Sequence, residues 1–251
     1  MKCLILAAGY ATRLYPLTEN FPKPLLPVGG KNILDWLVDD IDMSGGANEY
    51  IVVSNHKFAG YFEDWADTKK QKIAVVDDGT VSNETRLGAV RDIQFVLEQR
   101  KIDDDMLVIA GDNVLDFSLN CLLRYAKEKK TSCVMRYEEP DLAKLKKGAV
   151  AVLGDGDRVL RITEKSSSPA SHWYCPPFYF FTAHDLRLIP QAIADGCGTD
   201  APGSYLAWLS ERSVLHAMQM PGKRYDIGDI ESYEAVKAVY RGITTSGEGY
   251  E

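Results

Sequence analysis

A loop of unusual composition follows the first apolar run of the chain and carries two cations among small residues and prolines. It reads LAAGYATRLYPLTENFPKPLLPVGGK and covers residues 6–31. The small residues at 7–9 allow backbone amides to come close to a ligand. Arg13 can hold phosphate oxygens through its planar fork, and Lys23 can do so as a point charge. The loop is therefore a candidate phosphate site, although the two cations are also compatible with ordinary surface charge.

Two common nucleotide-binding signatures are missing from this loop. It matches neither the dinucleotide fingerprint GxGxxG nor the phosphate-loop pattern GxxxxGK[ST], which disfavours a nicotinamide-dependent oxidoreductase. Its prolines at 16, 22, 24 and 27 restrict the backbone and lower the entropy cost of ordering the loop around a ligand. The composition thus indicates a pre-organised loop of another kind.

Two aspartates follow strand-like runs further along the chain. Asp112 lies in VIAGDN and Asp226 lies in YDIGD. Mg²⁺ prefers oxygen ligands and is commonly held by one or two carboxylates together with substrate phosphates. The alternative is that each aspartate serves a turn or caps a helix, which is common directly after a strand. Asp229 has the position of an N-cap for the last predicted helix, so we assign it a structural role.

The elements that must position these residues alternate over the first half of the chain. Short apolar runs without polar alternation predict strands buried on both faces, and amphipathic stretches between them predict helices. The predicted strands are 2–8, 50–54, 72–76 and 106–111, and the predicted helices are 32–44, 84–99 and 118–129. This order is typical of right-handed βαβ units, so we predict an α/β fold with a mostly parallel central sheet flanked by helices.

The pattern changes after about residue 131. Four strand-like runs follow one another, the last of them WYCPPFYFF, before helical stretches near 184–195 and 203–212, the strand-like VLHAMQM and a final helix at 229–241. No linker or composition shift interrupts the chain. We therefore predict one domain over 1–242, with a nucleotide-binding half at 1–130 and an acceptor-binding half at 131–242. The polar, Gly-rich stretch 243–251 is predicted to be a loosely held tail.

Composition excludes several classes of protein. The 251 residues include 36 acidic and 29 basic ones, a net charge of −7, which argues against a dedicated nucleic-acid binder. The apolar runs are too short for a membrane-spanning helix or a signal peptide. The 5 cysteines are scattered without a CxxC pair, so they suggest neither zinc nor a disulfide framework, and we expect a reducing cytoplasm.

At the level of the whole chain, the sequence resembles the sugar-phosphate nucleotidyltransferases, which include glucose-1-phosphate thymidylyl- and uridylyltransferases. The resemblance starts with the 6–31 loop and continues in order through NHK (55–57), LGA (87–89), AGDN (110–113), GAVAV (148–152), TEK (163–165), APG (201–203) and YDIGD (225–229). It implies a Rossmann-like nucleotidyltransferase fold. It also implies transfer of a nucleoside monophosphate from a nucleoside triphosphate to a phosphorylated acceptor, with release of pyrophosphate. The implied partners are these two substrates, without nucleic acid or membrane, and a homo-oligomer is left open.

The resemblance also implies roles for individual residues. Arg13 holds the leaving phosphates, Lys23 bridges the α-phosphate and the acceptor phosphate, and Asp112 and Asp226 bind Mg²⁺. The nucleotide-binding residues are Leu6, Ala7, Ala8, Gly9, Asn83 and Gly88, and the acceptor-binding residues are Gly148, Glu164 and Lys165. No general base is required, because the attacking phosphate is already ionised, so the site has to align two anions and neutralise their charge.

The identity of both substrates is less constrained. The segment NETRLGAV stands where many family members read GTAG, and Asn83 either contacts a pyrimidine edge or caps a helix beginning near Glu84. Arg86 either contacts the ligand or is a solvated residue of the first helical turn. We expect a pyrimidine triphosphate and a sugar 1-phosphate.

Three departures from the family pattern bear on this expectation. Ala11 replaces the usual second glycine of the first loop, and Ser166 replaces the usual proline after Glu-Lys. Pro176 and Pro177 remove two backbone donors from the acceptor region. A modified sugar, a heptose phosphate or a phosphorylated alcohol such as phosphocholine therefore stays open as the acceptor. A further alternative is a catalytically silent regulatory subunit that binds a nucleotide sugar.

Overall fold

The computed structural model describes residues 1–43 and 45–244. The strands are β1 (Lys2–Leu6), β2 (Pro27–Val28), β3 (Lys31–Asn32), β4 (Tyr50–Ser54), β5 (Ile73–Asp77), β6 (Met106–Ala110), β7 (Asn113–Leu115), β8 (Ser132–Glu138), β9 (Ala149–Leu153), β10 (Val159–Glu164), β11 (Trp173–Cys175), β12 (Phe178–Phe181), β13 (Leu215–Gln219) and β14 (Arg224–Asp226). The helices are α1 (Ile33–Met43), α2 (Ala59–Asp67), α3 (Ala89–Arg100), α4 (Asn120–Lys129), α5 (Leu142–Leu145), α6 (Ala183–Leu186), α7 (Ile189–Ala194), α8 (Gly203–Leu209) and α9 (Ile230–Val239).

The chain forms two compact units, each built from separate segments. Unit 1 contains the described residues of 1–86, 110–121 and 221–244, and unit 2 contains Leu87–Ile109 and Leu122–Met220. The two predicted nucleotide-binding and acceptor-binding halves, divided at residue 130, stay a prediction. The predicted tail at 243–251 lies mostly outside the described residues.

The main sheet of unit 1 is parallel. β4 lies between β1 and β5, with Leu4 opposite Ile51 and Ile51 opposite Ala74. All five residues of β4 are buried, as expected for a strand covered on both faces. Helix α1 buries Ile33, Leu34, Leu37, Val38 and Ile41, the stripe that the sequence predicts. The carboxyl ends of these parallel strands therefore lie at one edge of the sheet, where α/β folds bind their ligands.

A small antiparallel ladder of unit 1 brings two distant chain segments together. β7 pairs with β14, and the register places Asp226 opposite Asn113. Helix α9 follows directly and begins with a capping box, in which the Asp229 carboxylate accepts from the Ser232 amide. The prediction that Asp229 caps the last helix is therefore confirmed.

Unit 2 contains a sheet in the order β10-β9-β11-β8-β12-β6. These neighbours are antiparallel, and β13 runs parallel to β8. The run WYCPPFYFF is two strands, because Pro176 and Pro177 separate β11 from β12. Proline cannot donate to a ladder, which explains the break.

The predicted α/β class with helices flanking the sheets is confirmed, and two helix predictions need correction. Helix α2 was not predicted, since its sequence AGYFEDWAD carries only a short apolar stripe. The helix expected from residue 84 begins at Ala89, after Gly88 with φ 88°. Among the residues that the structure describes, no helix is long and apolar enough to cross a membrane.

Candidate active site

Hydrogen bonds to β4 and to the residue after it fix the backbone that follows β1. The Ala7 amide donates to the Val53 carbonyl, 2.9 Å away. The buried Asn55 amide group donates to the Ala8 carbonyl at 3.0 Å, and the Asn55 side-chain oxygen accepts from the Phe58 amide. A Cβ added at Gly9 would meet no atom within 4 Å. The turn is therefore fixed on the side that faces β4, and it is open to a ligand at Gly9.

Ala11 adopts a left-handed turn at the position where the sequence resemblance led us to expect a glycine. Its φ of 48° and ψ of 41° lie in the left-handed region, which costs a residue with a Cβ about 1–2 kcal/mol. The Thr18 hydroxyl donates to the Ala11 carbonyl at 2.8 Å and helps to hold this conformation. The substitution therefore keeps the geometry of the turn at the expense of some strain.

Arg13 and Lys23 lie in single 3-10 turns, Thr12–Leu14 and Lys23–Leu25, but in different environments. Arg13 is exposed, and its guanidinium lies 3.9 Å from the position of a Cβ built on Gly228. Lys23 is buried, and its Nζ forms an ion pair with Asp112 Oδ2 at 2.8 Å. Arg13 is thus available to a ligand from solvent, whereas Lys23 is already held in place.

The Asp112 carboxylate is the acidic partner of this arrangement. Its Oδ1 accepts from the Asn113 amide group at 2.6 Å. Burial acts to raise the pKa of Asp112, but the charge and hydrogen bond of Lys23 and the charge of Arg224 outweigh burial, so the pKa is lowered. Asp112 is accordingly ionised at neutral pH.

A cavity of about 190 Å³ collects most of the predicted nucleotide and catalytic residues of unit 1. The predicted residues that line it are Leu6, Ala7, Gly9, Arg13, Lys23 and Asp112. Ala8 is buried behind this wall through its bond to Asn55. The sequence thus identified these residues of the cavity wall, and it missed the bond of Asn55 to Ala8, although Asn55 belongs to the NHK motif of the resemblance.

Asp226 lies on the strand beside the Asp112 segment. The register pairs it with Asn113, and its side chain is 58% exposed with Arg224 Nη1 3.7 Å away. No group of three or more histidine, cysteine or acidic side chains that could hold a metal occurs among the described residues. Two carboxylates nevertheless fit Mg²⁺, which takes hard oxygen donors and keeps several waters or substrate oxygens.

The segment from Asn83 to Gly88 is a turn rather than the start of a helix. The Asn83 carbonyl accepts from Arg86 Nη1 at 2.7 Å, and no side chain caps α3, which begins at Ala89. The interpretation of Asn83 as a helix cap is therefore wrong, and so is that of Arg86 as a residue of the first helical turn. Gly88 explains why both interpretations are wrong, because its positive φ prevents the helix from starting before Ala89.

The predicted acceptor residues of unit 2 converge on one end of β9 and β10. The Lys165 amide donates to the Gly148 carbonyl at 3.0 Å, and Lys165 Nζ lies 3.3 Å from Asp200 Oδ2. A Cβ on Gly148 would lie 2.3 Å from the Tyr174 hydroxyl, so this position needs a glycine. Unit 2 thus brings Gly148, Glu164 and Lys165 to one end of these strands, and their role in binding the acceptor stays a prediction.

Residues 2–241 match the model of a family described as Nucleotidyl transferase. The UTP–glucose-1-phosphate uridylyltransferase AglF of Haloferax volcanii is 28% identical over 231 residues, which are 91% of each chain. The bifunctional protein GlmU of Methanocaldococcus jannaschii is 27% identical over 91% of this chain, which spans about half of that relative. The crystal structure of apo UDP-glucose pyrophosphorylase superimposes with a TM-score of 0.81 at 21% identity and covers 95% of this chain and 97% of its own.

Glu164 gives the acceptor end of unit 2 a measurable pH dependence. Burial raises the pKa of Glu164 from 4.5 to about 7, with Lys165 opposing and Asp200 adding to the rise. The folded chain therefore holds this proton more tightly than the unfolded chain does. Its stabilising contribution is complete below pH 4.5 and is lost as the pH rises to about 7.

We therefore expect Glu164→Gln to remove this part of the pH dependence. The Tm of the wild type, measured relative to that of Glu164→Gln, should fall between pH 4.5 and about 7 and stay level above it. Glu138→Gln removes an exposed carboxylate of the same unit and serves as the charge-matched control. A constant difference in Tm across this range would contradict the assignment.

Proposed function

The chain belongs to the nucleotidyl transferase family, and from this premise we propose that it transfers a nucleoside monophosphate from a pyrimidine triphosphate to a sugar 1-phosphate and releases pyrophosphate. The observation that carries the proposal is the grouping of Arg13, Lys23 and Asp112 around one cavity after β1. Two cations and a carboxylate beside open backbone amides suit a triphosphate with its metal. The name of the relative AglF, a UTP–glucose-1-phosphate uridylyltransferase, supports both substrates.

The residues of unit 1 have distinct tasks in this proposal. An oxygen of the acceptor phosphate attacks the α-phosphorus, the bond from the α-phosphorus to the β-bridging oxygen breaks, and pyrophosphate leaves with the electron pair. Arg13 holds the leaving phosphates with its fork, which suits two oxygens at once. Lys23 contributes a fixed charge at the α-phosphate, and its place is set by Asp112. Pre-aligned charge of this kind lowers the barrier without reorganisation.

Asp112 and Asp226 are the residues that would hold Mg²⁺, which when bound neutralises charge on the phosphates. In unit 2, Lys165 would bind the acceptor phosphate and Glu164 the sugar hydroxyls. The alternatives of a phosphorylated alcohol acceptor and of a silent regulatory subunit are not favoured, since two of the relatives are named UTP–glucose-1-phosphate uridylyltransferase.

The compartment belongs to the same proposal. The five cysteines are free thiols, and four of them are buried. Burial raises the pKa of Cys3, Cys133 and Cys175. This supports a reducing cytoplasm.

The metal assignment predicts a large loss of turnover from a small change at Asp226. Asp226→Asn keeps the shape of an exposed side chain but removes a ligand charge, so we expect at least a hundredfold loss of kcat with a nearly unchanged Tm. Asp39→Asn, at an exposed ion pair with Lys31, is the control. Near-normal turnover of Asp226→Asn at saturating Mg²⁺ would refute the assignment. Asp112→Asn should also lower the Tm, because it leaves the buried Lys23 without its partner.

The exposure of Arg13 predicts that its removal affects the rate and not the fold. Arg13→Ala should lower kcat by about a hundredfold or more while the Tm changes little, since the side chain is exposed. Arg13→Lys should restore only part of the rate, because a point charge cannot replace the fork. Arg124→Ala, at an exposed position of α4, is the control. A sharp fall in Tm with normal turnover of the folded fraction would make Arg13 structural.

The preference for a pyrimidine base is a separate prediction. We expect CTP, UTP or dTTP to have a higher specificity constant than ATP and GTP with glucose 1-phosphate as acceptor. A purine that left two polar groups of the base site unpaired would be disfavoured by about a hundredfold in specificity constant. Asn83→Ala should erode this ranking, whereas Asn48→Ala, at another exposed asparagine of unit 1, should not. A purine at the top of the ranking would end the pyrimidine proposal, and an unaltered ranking in Asn83→Ala would remove Asn83 from the base site.

A further inference from the structure

The segment Thr199–Gly203 touches three of the residues to which we assign ligand-binding roles. It connects α7 to α8 within unit 2. None of its side chains belongs to the nucleotide or acceptor sets described above. It nevertheless contacts Gly88, Lys165 and Glu164.

The first contact is made by the backbone under Gly88. The Ala89 amide donates to the Asp200 carbonyl at 3.2 Å, and the Val90 amide donates to the Thr199 carbonyl at 3.0 Å. A Cβ on Gly88 would lie 2.6 Å from the Thr199 carbonyl oxygen and 2.9 Å from the Asp200 Cα. The last residue of the 83–88 turn therefore sits directly on this segment.

The second contact is the ion pair between Asp200 and Lys165. Lys165 Nζ lies 3.3 Å from Asp200 Oδ2, and the two side chains are 50% and 57% exposed. The Lys165 backbone is fixed by its bond to the Gly148 carbonyl and has a φ of 49°. Only the flexible part of the lysine is left to be oriented, and a long lysine loses much rotamer freedom when it is fixed. Asp200 is placed to do this before the acceptor binds.

The third contact is between Gly203 and Glu164. A Cβ on Gly203 would lie 2.0 Å from Glu164 Oε2 and 2.9 Å from the Ala149 Cβ. Gly203 is the first residue of α8 and has no positive φ, so alanine suits its backbone there. The absence of a side chain is therefore needed to make room for the Glu164 carboxylate.

We propose that Thr199–Gly203 is a positioning element for substrate binding, in which Asp200 orients Lys165, Gly203 seats Glu164 and the carbonyls of Thr199 and Asp200 hold the amides of Val90 and Ala89 directly after Gly88. This inference rests on the proposed function, since Lys165 and Glu164 are its acceptor residues. One short segment thus fixes the Lys165 and Glu164 side chains and the last residue of the 83–88 turn. Residues that lock a binding group in its working rotamer raise affinity by lowering the entropy lost on binding.

A double-mutant cycle separates this role from an idle surface ion pair. At saturating UTP, Asp200→Asn should raise the KM for glucose 1-phosphate about fivefold, the upper range for an exposed pair, with kcat and the KM for UTP within about twofold. In a Lys165→Gln background the same change should have no further effect. Asp200→Glu should restore part of the affinity, and Asp103→Asn, at another exposed ion pair of unit 2, should change nothing.

Glycine variants test the steric contacts independently. Gly203→Ala should raise the acceptor KM of the folded enzyme and also lower the Tm, because its Cβ would lie 2.9 Å from the Ala149 Cβ. Gly60→Ala, in the first turn of α2 with open space around it, should leave the acceptor KM unchanged. Gly88→Ala should raise the acceptor KM even at saturating UTP, where an effect on nucleotide binding alone disappears.

The outcomes are distinguishable from a failure of the proposed function. If the wild type releases no pyrophosphate from any triphosphate and sugar 1-phosphate pair, the proposed function fails. If the wild type is active but Asp200→Asn leaves the acceptor KM unchanged, or lowers activity equally with and without Lys165, Asp200 has no positioning role. Normal acceptor KM values in both Gly203→Ala and Gly88→Ala would likewise overturn the inference.

Discussion

A buried lysine must be paired with an acid, and this requirement organises the site of unit 1. The Lys23 side chain is only 8% exposed, and its ammonium lies 2.8 Å from Asp112. An unpaired charge at this depth would cost several kcal/mol, so the loop that carries Lys23 and the segment that carries Asp112 have to stay together. The Gly111 amide secures this by donating to the Leu6 carbonyl at 3.0 Å. The first strand, the phosphate loop and the acidic turn are thereby one structure.

This pairing also explains why the two cations of the loop differ. Lys23 is a fixed charge whose orientation is set by the protein, whereas Arg13 is exposed on a short turn. In the function proposed above, Lys23 is the cation already in place for the transferred group, and Arg13 is the one free to adjust to the leaving phosphates. In unit 2 the backbone of Lys165 is fixed by its bond to Gly148, whereas its half-exposed ammonium lies beside Asp200.

The sequence predicted those parts of the site that lie in local motifs. Arg13, Lys23 and Asp112 each follow a recognisable run, and the α/β class follows from the alternation of buried strands and helices. Contacts across long stretches of chain were not predictable, because neither residue carries a local signal of its partner. Asn55 bonds to Ala8 over 47 residues, and Asp200 pairs with Lys165 over 35. The prediction of a helix cap at Asn83 was wrong for a different reason. The amphipathic pattern begins at residue 84, but the positive φ of Gly88 delays the start of the helix to Ala89.

The discontinuous composition of unit 1 affects the order in which a growing chain can become functional. Arg13 and Lys23 leave the ribosome early and Asp112 follows, but the ladder of β7 with β14 joins residues as far apart as Asn113 and Asp226, 113 positions along the chain. Closing so long a loop is slow compared with forming local helices. Asp226 follows Met220, the last residue of unit 2, so this ladder forms only after all of unit 2 has been synthesised. A nascent chain therefore carries Arg13 and Lys23 well before Asp226 can join the segment of Asp112.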